Sequence, residues 1–307
     1  MRRRLRLAIS AGDPAGIGPE VVFGALATGA AAGAEATVFG DGEQLASLAK
    51  SRDLAAVRIV DVGRCTDEVR AAAAPSAEAG AAQLAALEAA AREVLDGRAD
   101  VLVTGPTSKA AIEAAGTAFS GQTEHLASLS GLSRDAVSML FLGPRLRVGL
   151  VTTHLAVRDA AAAITAARVR RTARHLRQAL ESLDARGTIA VTGLNPHAGE
   201  GGLFGHEDRE VIAPALSELA GVIGPLPAEA AFRGAADGRF DGVVAMLHDQ
   251  ATIASKLLDW GEAVNVTWGL PFLRTSVDHG VAYDIAGTGR ASASGMRAAL
   301  DLARRLA

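Results

Sequence analysis

Short apolar runs alternate along the chain with longer stretches in which apolar residues recur at helical spacing. Leu5–Ser10, Ala36–Phe39, Val57–Val62 and Val101–Thr104 are mostly apolar, short, and bounded by glycine or charged residues, which predicts strands. Pro19–Thr28, Asp41–Ala49 and Ala77–Leu95 lie between them and predict helices. In the last of these, Leu84, Leu87 and Val94 form a helical stripe, which argues against a low-complexity linker, and the alanines let neighbouring backbones approach. This βαβα rhythm predicts an α/β fold with a mostly parallel sheet.

The middle of the chain changes character. Val137–Leu142 and Arg145–Val151 flank Gly143-Pro144 and read as a hairpin, so the sheet is expected to be mixed. A helix over Ala166–Leu183 carries Arg168, Arg170, Arg171, Arg174 and Arg177, read as a solvated face in preference to an anion site, with His175 solvated among them. Strand Thr188–Leu194, helix Glu207–Leu219, strand Gly242–Leu247 and helix Ser294–Leu306 complete the pattern. No repeat of 20–50 residues and no Pro/Ser-rich linker marks a boundary. Two lobes are expected. Residues 1–125 and 268–307 form the first, with both termini, and 126–267 the second.

Composition sharpens this picture. Of 307 residues about 67 are alanine, and the 31 basic residues include only three lysines, Lys50, Lys109 and Lys256. Asparagine occurs only at positions 195 and 265. Against such a background the rare residues draw attention to their positions. A net charge of -3 argues against a nucleic-acid footprint. No uncharged apolar run reaches the roughly 18 residues of a membrane span. The start, Met1–Arg6, reads as a basic tip before a strand, because Leu7–Ser10 is too short for a signal core. The single cysteine, Cys65, excludes an internal disulfide framework and a cysteine-rich zinc site. A cytoplasmic enzyme is expected.

Several loops at predicted strand ends carry chemistry. Gly12–Glu20 follows the first strand and opens the first helix, but it lacks the third glycine of the dinucleotide fingerprint and reads equally as a turn or a ligand loop. His154, His197 and His248 each follow a strand, where ligands of open α/β sheets gather. Singly they read as capping or core histidines; together they suit one divalent ion with open positions. Thr104–Lys109 runs from a strand into a helix, a place that attracts anions, although a surface lysine explains Lys109 equally well. Lys256, Asn265 and Arg274 punctuate an apolar segment, and an ammonium, an amide and a guanidinium suit a phosphorylated or carboxylated substrate. Surface positions are the alternative for Lys256 and Arg274. The polar loops Thr275–Gly280 and Asp284–Gly289 suit a nucleotide or plain turns.

These strings, with Gly121-Gln122-Thr123-Glu124, Gly193–Gly202, Gly224-Pro225-Leu226-Pro227 and His248-Asp249-Gln250, run in order across nearly the whole chain. Together they resemble the 4-hydroxythreonine-4-phosphate dehydrogenase family of pyridoxal 5′-phosphate biosynthesis. The resemblance implies a two-lobed α/β fold like that of isocitrate and isopropylmalate dehydrogenases, and a homodimer with a shared active site. It implies a divalent metal (Zn, Mg or Co) on His154, His197 and His248. Substrate contacts fall on Gln122, Thr123, Lys256, Asn265 and Arg274, and NAD or NADP lies near Asp278, Gly280, Asp284, Gly287 and Gly289. Lys256 and His248 become the candidate catalytic residues. Three positions depart from the family pattern: Gln122 stands where histidine is usual, Glu229 where aspartate is, and Ala251 where glycine is.

The implied reaction oxidises a secondary alcohol by hydride transfer, with the metal as Lewis acid, followed by loss of CO₂. The expected substrate is 4-phosphohydroxy-L-threonine, giving 3-amino-2-oxopropyl phosphate. An uncharged amide at Gln122 keeps a sugar-acid 4-phosphate or a carboxylated aromatic cis-dihydrodiol open as alternatives. A metal hydrolase is a remote one, because no H-E-x-x-H base motif occurs.

Overall fold

The computed structural model describes residues 3–307, so Met1 and Arg2 of the basic tip lie outside the described residues. The strands are β1 (Arg6–Ser10), β2 (Glu35–Gly40), β3 (Arg58–Asp61), β4 (Val101–Thr104), β5 (Ser138–Leu142), β6 (Arg147–Leu150), β7 (Ile189–Thr192), β8 (Val222–Leu226), β9 (Gly242–Ala245), β10 (Val264–Trp268) and β11 (Leu273–Ser276). The chain divides into two compact units, Met1–Ala136 with Leu270–Ala307, and Val137–Gly269. The sequence placed the first crossing near 125. It falls later because Leu126 and Leu129 pack into the core of the first unit, and the helix that bears them stays with it.

In the first unit the strand order is β3-β2-β1-β4-β11, all parallel. Leu7, Ile9 and Leu102 are fully buried, as expected of strands covered on both faces. Helix Ala77–Leu95 lies against this sheet. Its alanines at 79, 82, 86, 90 and 91 are buried, and a Cβ on Gly80 would stand 1.9 Å from the carbonyl oxygen of Ala111. Small side chains thus let it pack almost backbone to backbone on helix Lys109–Ala114. The register of β4 on β11 sets Ser276 beside Thr104 and Arg274 beside Leu102.

In the second unit the order is β10-β5-β6-β9-β7-β8. The hairpin around Gly143-Pro144 is present, antiparallel, and β10 adds to β5 in the same sense. The remaining pairs are parallel, so this sheet is mixed. Its core gathers Phe141, Leu146, Val148, Leu150, Val243 and Ala245. Strand β8 and helices Ala228–Ala236 and His248–Leu258 had no counterpart in the sequence reading. The helix expected over Glu207–Leu219 is instead a π-turn, Asp208–Ile212, followed by a short α-helix, Ala213–Leu216.

The arginine-rich helix, Ala166–Glu181, corrects the sequence reading. Of its five arginines only Arg174 is exposed. Arg177 donates to the carbonyls of Gly187 and Gly221, 2.7 and 2.9 Å away, and so pins the strand-entry turns to the helix. His175 is half-buried rather than solvated. Its Nδ1 lies 3.0 Å from Ser138 Oγ, and burial, with repulsion from Arg171, pushes its pKa down to about 4. The ring is therefore neutral at neutral pH.

Candidate active site

In the second unit, β6 and β9 are parallel neighbours with Leu150 beside Ala245. The chain leaves both at the same sheet edge. His154 follows β6 and His248 opens the helix after β9, which brings their ring centroids to 5.4 Å. Thr152 Oγ1 donates to the Met246 carbonyl at 2.6 Å and ties the two strand ends together. Gln250 extends the tie to β7. Its Oε1 accepts from the Met246 and Leu247 amides, both at 3.0 Å, and its Nε2 donates to the Gly193 carbonyl at 3.1 Å. His248 Nδ1 lies 2.8 Å from Asp249 Oδ1, a carboxylate partner of the kind that fixes an imidazole tautomer.

His197 is held differently. It begins a run of left-handed backbone, with φ values of 52°, 53°, 80°, 41° and 67° from His197 to Gly201. Three of these five residues are not glycine, so the turn is strained. Asp208, 2% exposed, holds its approach: its carboxylate accepts from Leu194 N at 2.7 Å, Asn195 N at 3.1 Å and Asn195 Nδ2 at 2.8 Å. The His197 ring packs against Phe204, with centroids 6.3 Å apart.

Imidazoles suit a divalent zinc-like cation. A metal–nitrogen distance of about 2.1 Å plus a ring radius of about 1.2 Å puts two histidine centroids on one tetrahedral ion roughly 5 Å apart. The His154–His248 pair fits that spacing. Among the described residues no group of three His, Cys, Asp or Glu side chains is arranged to hold an ion. His197, in its left-handed turn, packs on Phe204. Lys256 lies half-buried on the helix that His248 opens, and Asn265 half-buried on β10.

In the first unit, Arg274 is 2% exposed, and burial pushes its guanidinium down to about 9, which leaves it cationic at neutral pH. Nε and Nη2 both donate to Thr104 Oγ1, at 3.2 and 2.8 Å, and Nη2 donates to Gln122 Oε1 at 2.9 Å. Gln122 Nε2 in turn donates to Thr107 Oγ1 and the Gly105 carbonyl. Thr123 follows at 7% exposure. The structure therefore brings Gln122 and Arg274 into contact across 152 residues of sequence. Lys109 is exposed, and Ser108 caps its short helix.

The Gly12–Glu20 loop is a joint within the protein. A Cβ on Gly12 would stand 2.3 Å from the Pro106 carbonyl oxygen, and one on Gly16 would stand 2.7 Å from that of Val281. Gly12 thus permits backbone contact with the Thr104–Lys109 loop, and Gly16 with Val281, which lies between the two polar loops. Beneath them lies a network the sequence reading missed. Asp13, fully buried, accepts from Ala15 N, from Gln83 Nε2 at 3.0 Å and from the Tyr283 hydroxyl at 2.6 Å. Gln83 Oε1 accepts from Ser108 N at 2.7 Å. Burial and the Asp13 carboxylate push the Tyr283 phenol well above its ordinary value. Tyr283 is the chain's single tyrosine, so rarity was the available signal.

A cleft of about 710 Å³ opens beside this joint, lined by Pro14, Gly16, Glu20, Gln44, Arg52, Arg70, Gly287 and Gly289, among others. Arg70 is paired with buried Asp41 at 2.6 Å. Glu20 Oε2 and Gln44 Oε1 are buried without a hydrogen-bond partner. Of the expected cofactor residues, Gly287 and Gly289 line this cleft, whereas Asp278, Gly280 and Asp284 do not.

Comparison with known proteins covers nearly the whole chain. The profile of the family described as pyridoxal phosphate biosynthetic protein PdxA matches residues 23–303. A 4-hydroxythreonine-4-phosphate dehydrogenase of Geobacter metallireducens is 40% identical over 98% of this chain and 95% of its own. A protein of Symbiobacterium thermophilum, provisionally assigned as a D-threonate 4-phosphate dehydrogenase, is 38% identical over 100% of this chain and 98% of its own. The crystal structure of a Klebsiella pneumoniae 4-hydroxythreonine-4-phosphate dehydrogenase superposes with a TM-score of 0.83 at 32% identity, covering 99% of each chain.

Proposed function

The chain belongs to the PdxA family of dehydrogenases acting on a CH–OH group, and from that premise we propose its reaction and the residues that serve it. The substrate is 4-phosphohydroxy-L-threonine. Its secondary alcohol is oxidised with NAD⁺ or NADP⁺, and the resulting β-keto acid loses CO₂ to give 3-amino-2-oxopropyl phosphate.

The observation that carries this reading is the buried, oriented guanidinium of Arg274 at the carboxyl ends of parallel strands. A desolvated cation there favours a bound anion by its charge. In the second unit Lys256 offers a cation and Asn265 an amide for substrate binding, and in the first Thr123 stands beside Gln122. Lys256 is the candidate for moving the alcohol proton. His154, His248 and His197 would hold a divalent cation. When bound, that cation supplies a Lewis acid and the nicotinamide a hydride acceptor.

The cleft beside Gly287 and Gly289 supports a nucleotide site, because Glu20 Oε2 and Gln44 Oε1 need donors and ribose hydroxyls are donors. Asp278, Gly280 and Asp284 belong to the same loop system. The chain acts as a homodimer through its second unit. Of the nine large apolar side chains exposed among the described residues, all but Leu95 lie there, including Ile253, Leu257 and Trp260. Action in the cytoplasm accords with the absence, among the described residues, of a helix long and apolar enough to cross a membrane.

D-Threonate 4-phosphate is the second reading, favoured by a relative at nearly the same identity. It differs in carrying a hydroxyl where the first carries an ammonium. The deciding experiment measures NADH and NADPH formation with each substrate and added Zn²⁺, Co²⁺ or Mg²⁺. Turnover of the amino acid phosphate at least tenfold faster in kcat/KM is expected. The reverse preference establishes the second reading, and no turnover of either overturns both.

A further inference from the structure

The amide of Gln122 is committed in two directions at once. Its oxygen accepts from Arg274 Nη2 at 2.9 Å, and its nitrogen donates to the Gly105 carbonyl at 3.1 Å and to Thr107 Oγ1 at 3.0 Å. Only one orientation of the amide satisfies this arrangement, since a flipped amide would set its NH₂ against the guanidinium N–H. Gly105 and Thr107 belong to the loop that leaves β4, and Thr104, at the end of β4, takes the same guanidinium edge through Oγ1. Gln122 therefore ties a buried guanidinium to a fixed loop.

We propose that Gln122 is a positioning residue and a specificity determinant that acts through Arg274, fixing the plane of its guanidinium, and not by touching the substrate. The proposal rests on the reading of Arg274 as the anion anchor. Its chemistry is specific to an amide. An imidazole offers one acceptor and one donor when neutral and no acceptor when protonated, so it would meet Arg274 as a second cation at low pH. A carboxylate would accept from Arg274 but neutralise it, and would lose both donations to the loop. Glutamine holds the guanidinium without a charge of its own, so the grip is independent of pH.

The test is a double-mutant cycle of Gln122→Ala and Arg274→Lys. It is read as KM for the phosphorylated substrate against kcat and against KM for the nicotinamide cofactor. The same cycle is read calorimetrically with inorganic phosphate as the probe, which does not depend on the substrate's identity. Gln122→Ala is expected to raise KM and weaken phosphate binding about tenfold, leaving KM for the cofactor unchanged. In the Arg274→Lys background it is expected to add less than twofold. Gln122→Asn keeps the amide one methylene short and tests folding without removing the group. Gln122→His is expected to show a ratio of KM to that of the unsubstituted enzyme that rises as pH falls through about 6.5, a ratio in which the substrate's own titration cancels. Full additivity of the two substitutions overturns the proposal and leaves Arg274 as anchor. An Arg274→Lys enzyme with unchanged KM and phosphate affinity overturns the anchor reading and the proposal with it.

Discussion

Replacing Asp208 by alanine tests how the turn at His197 is held. The carboxylate is 2% exposed and accepts three hydrogen bonds, from Leu194 N, Asn195 N and Asn195 Nδ2. Hydrogen bonds to a charged acceptor contribute about 1.5–3 kcal/mol each, and a buried donor left unpaired costs about 1–3 kcal/mol. Asn195 is only half-buried, so water can recover part of its share. A loss of roughly 3–5 kcal/mol results.

The turn itself opposes its own conformation. His197, Ala198 and Glu200 sit at positive φ, and each left-handed residue costs roughly 1–2 kcal/mol. Without Asp208 the run relaxes toward right-handed backbone and His197 leaves its place on Phe204. Thermal unfolding monitored by circular dichroism is expected to show a drop on the order of 10 °C. Asp208→Asn keeps one acceptor and the shape, and is expected to lose about a third to a half as much. If Asp208→Ala unfolds within about 1 °C of the parent, the carboxylate does not hold the turn and the reasoning fails.

Two further outcomes follow from packing and burial. His175 is neutral in the folded state with a pKa near 4, against about 6.5 when unfolded, so the unfolded chain takes up the extra proton between those values. Stability is therefore fully present above about pH 6.5 and is lost as pH falls toward 4. The shift corresponds to about 3 kcal/mol, discounted to roughly 1–2 kcal/mol for the ring's partial exposure. Urea unfolding of His175→Gln from pH 4.5 to 7 should show a shallower fall than the parent, and equal slopes would remove His175 as the cause. Gly80→Ala should destabilise, although alanine gains about 1 kcal/mol of helix propensity. Its Cβ would stand 1.9 Å from the Ala111 carbonyl oxygen, and such overpacking costs about 1–3 kcal/mol or more. A melting temperature at or above the parent's would refute the close packing of the two helices.

Much of the framework was readable along the chain because the information is local. A strand buried on both faces is an apolar run, as at Val101–Thr104, and a tight hairpin announces itself as Gly143-Pro144 between two such runs. Loops that follow strands can be picked out one by one, and His154, His197 and His248 were found that way, whereas Lys256, Asn265 and Arg274 stood out as polar residues in an otherwise apolar segment. Strand β8 was missed because Gly224 and Pro225 interrupt the apolar run of Val222–Leu226. The helix across Glu207–Leu219 was misread because its apolar spacing does not reveal the π-turn at Asp208.

What a polar side chain does when its partner lies far along the chain could not be read locally. Arg274 was equally a surface residue or an anchor until the β4–β11 register buried it and set Thr104 and Gln122 around it. Asp13, Gln83 and Tyr283 are ordinary polar letters in the sequence; folding joins them across 270 residues beneath the polar loops. Asp208 likewise gains its meaning only where the chain turns back on Leu194 and Asn195. The sequence by itself determined the family, the α/β elements and the positions carrying ionisable groups, since each depends on neighbouring residues or on motifs in order. Tertiary structure alone decided which of those groups meet and which are stripped of water. Burial and hydrogen-bond geometry are properties of packing between distant segments, and no local pattern encodes them.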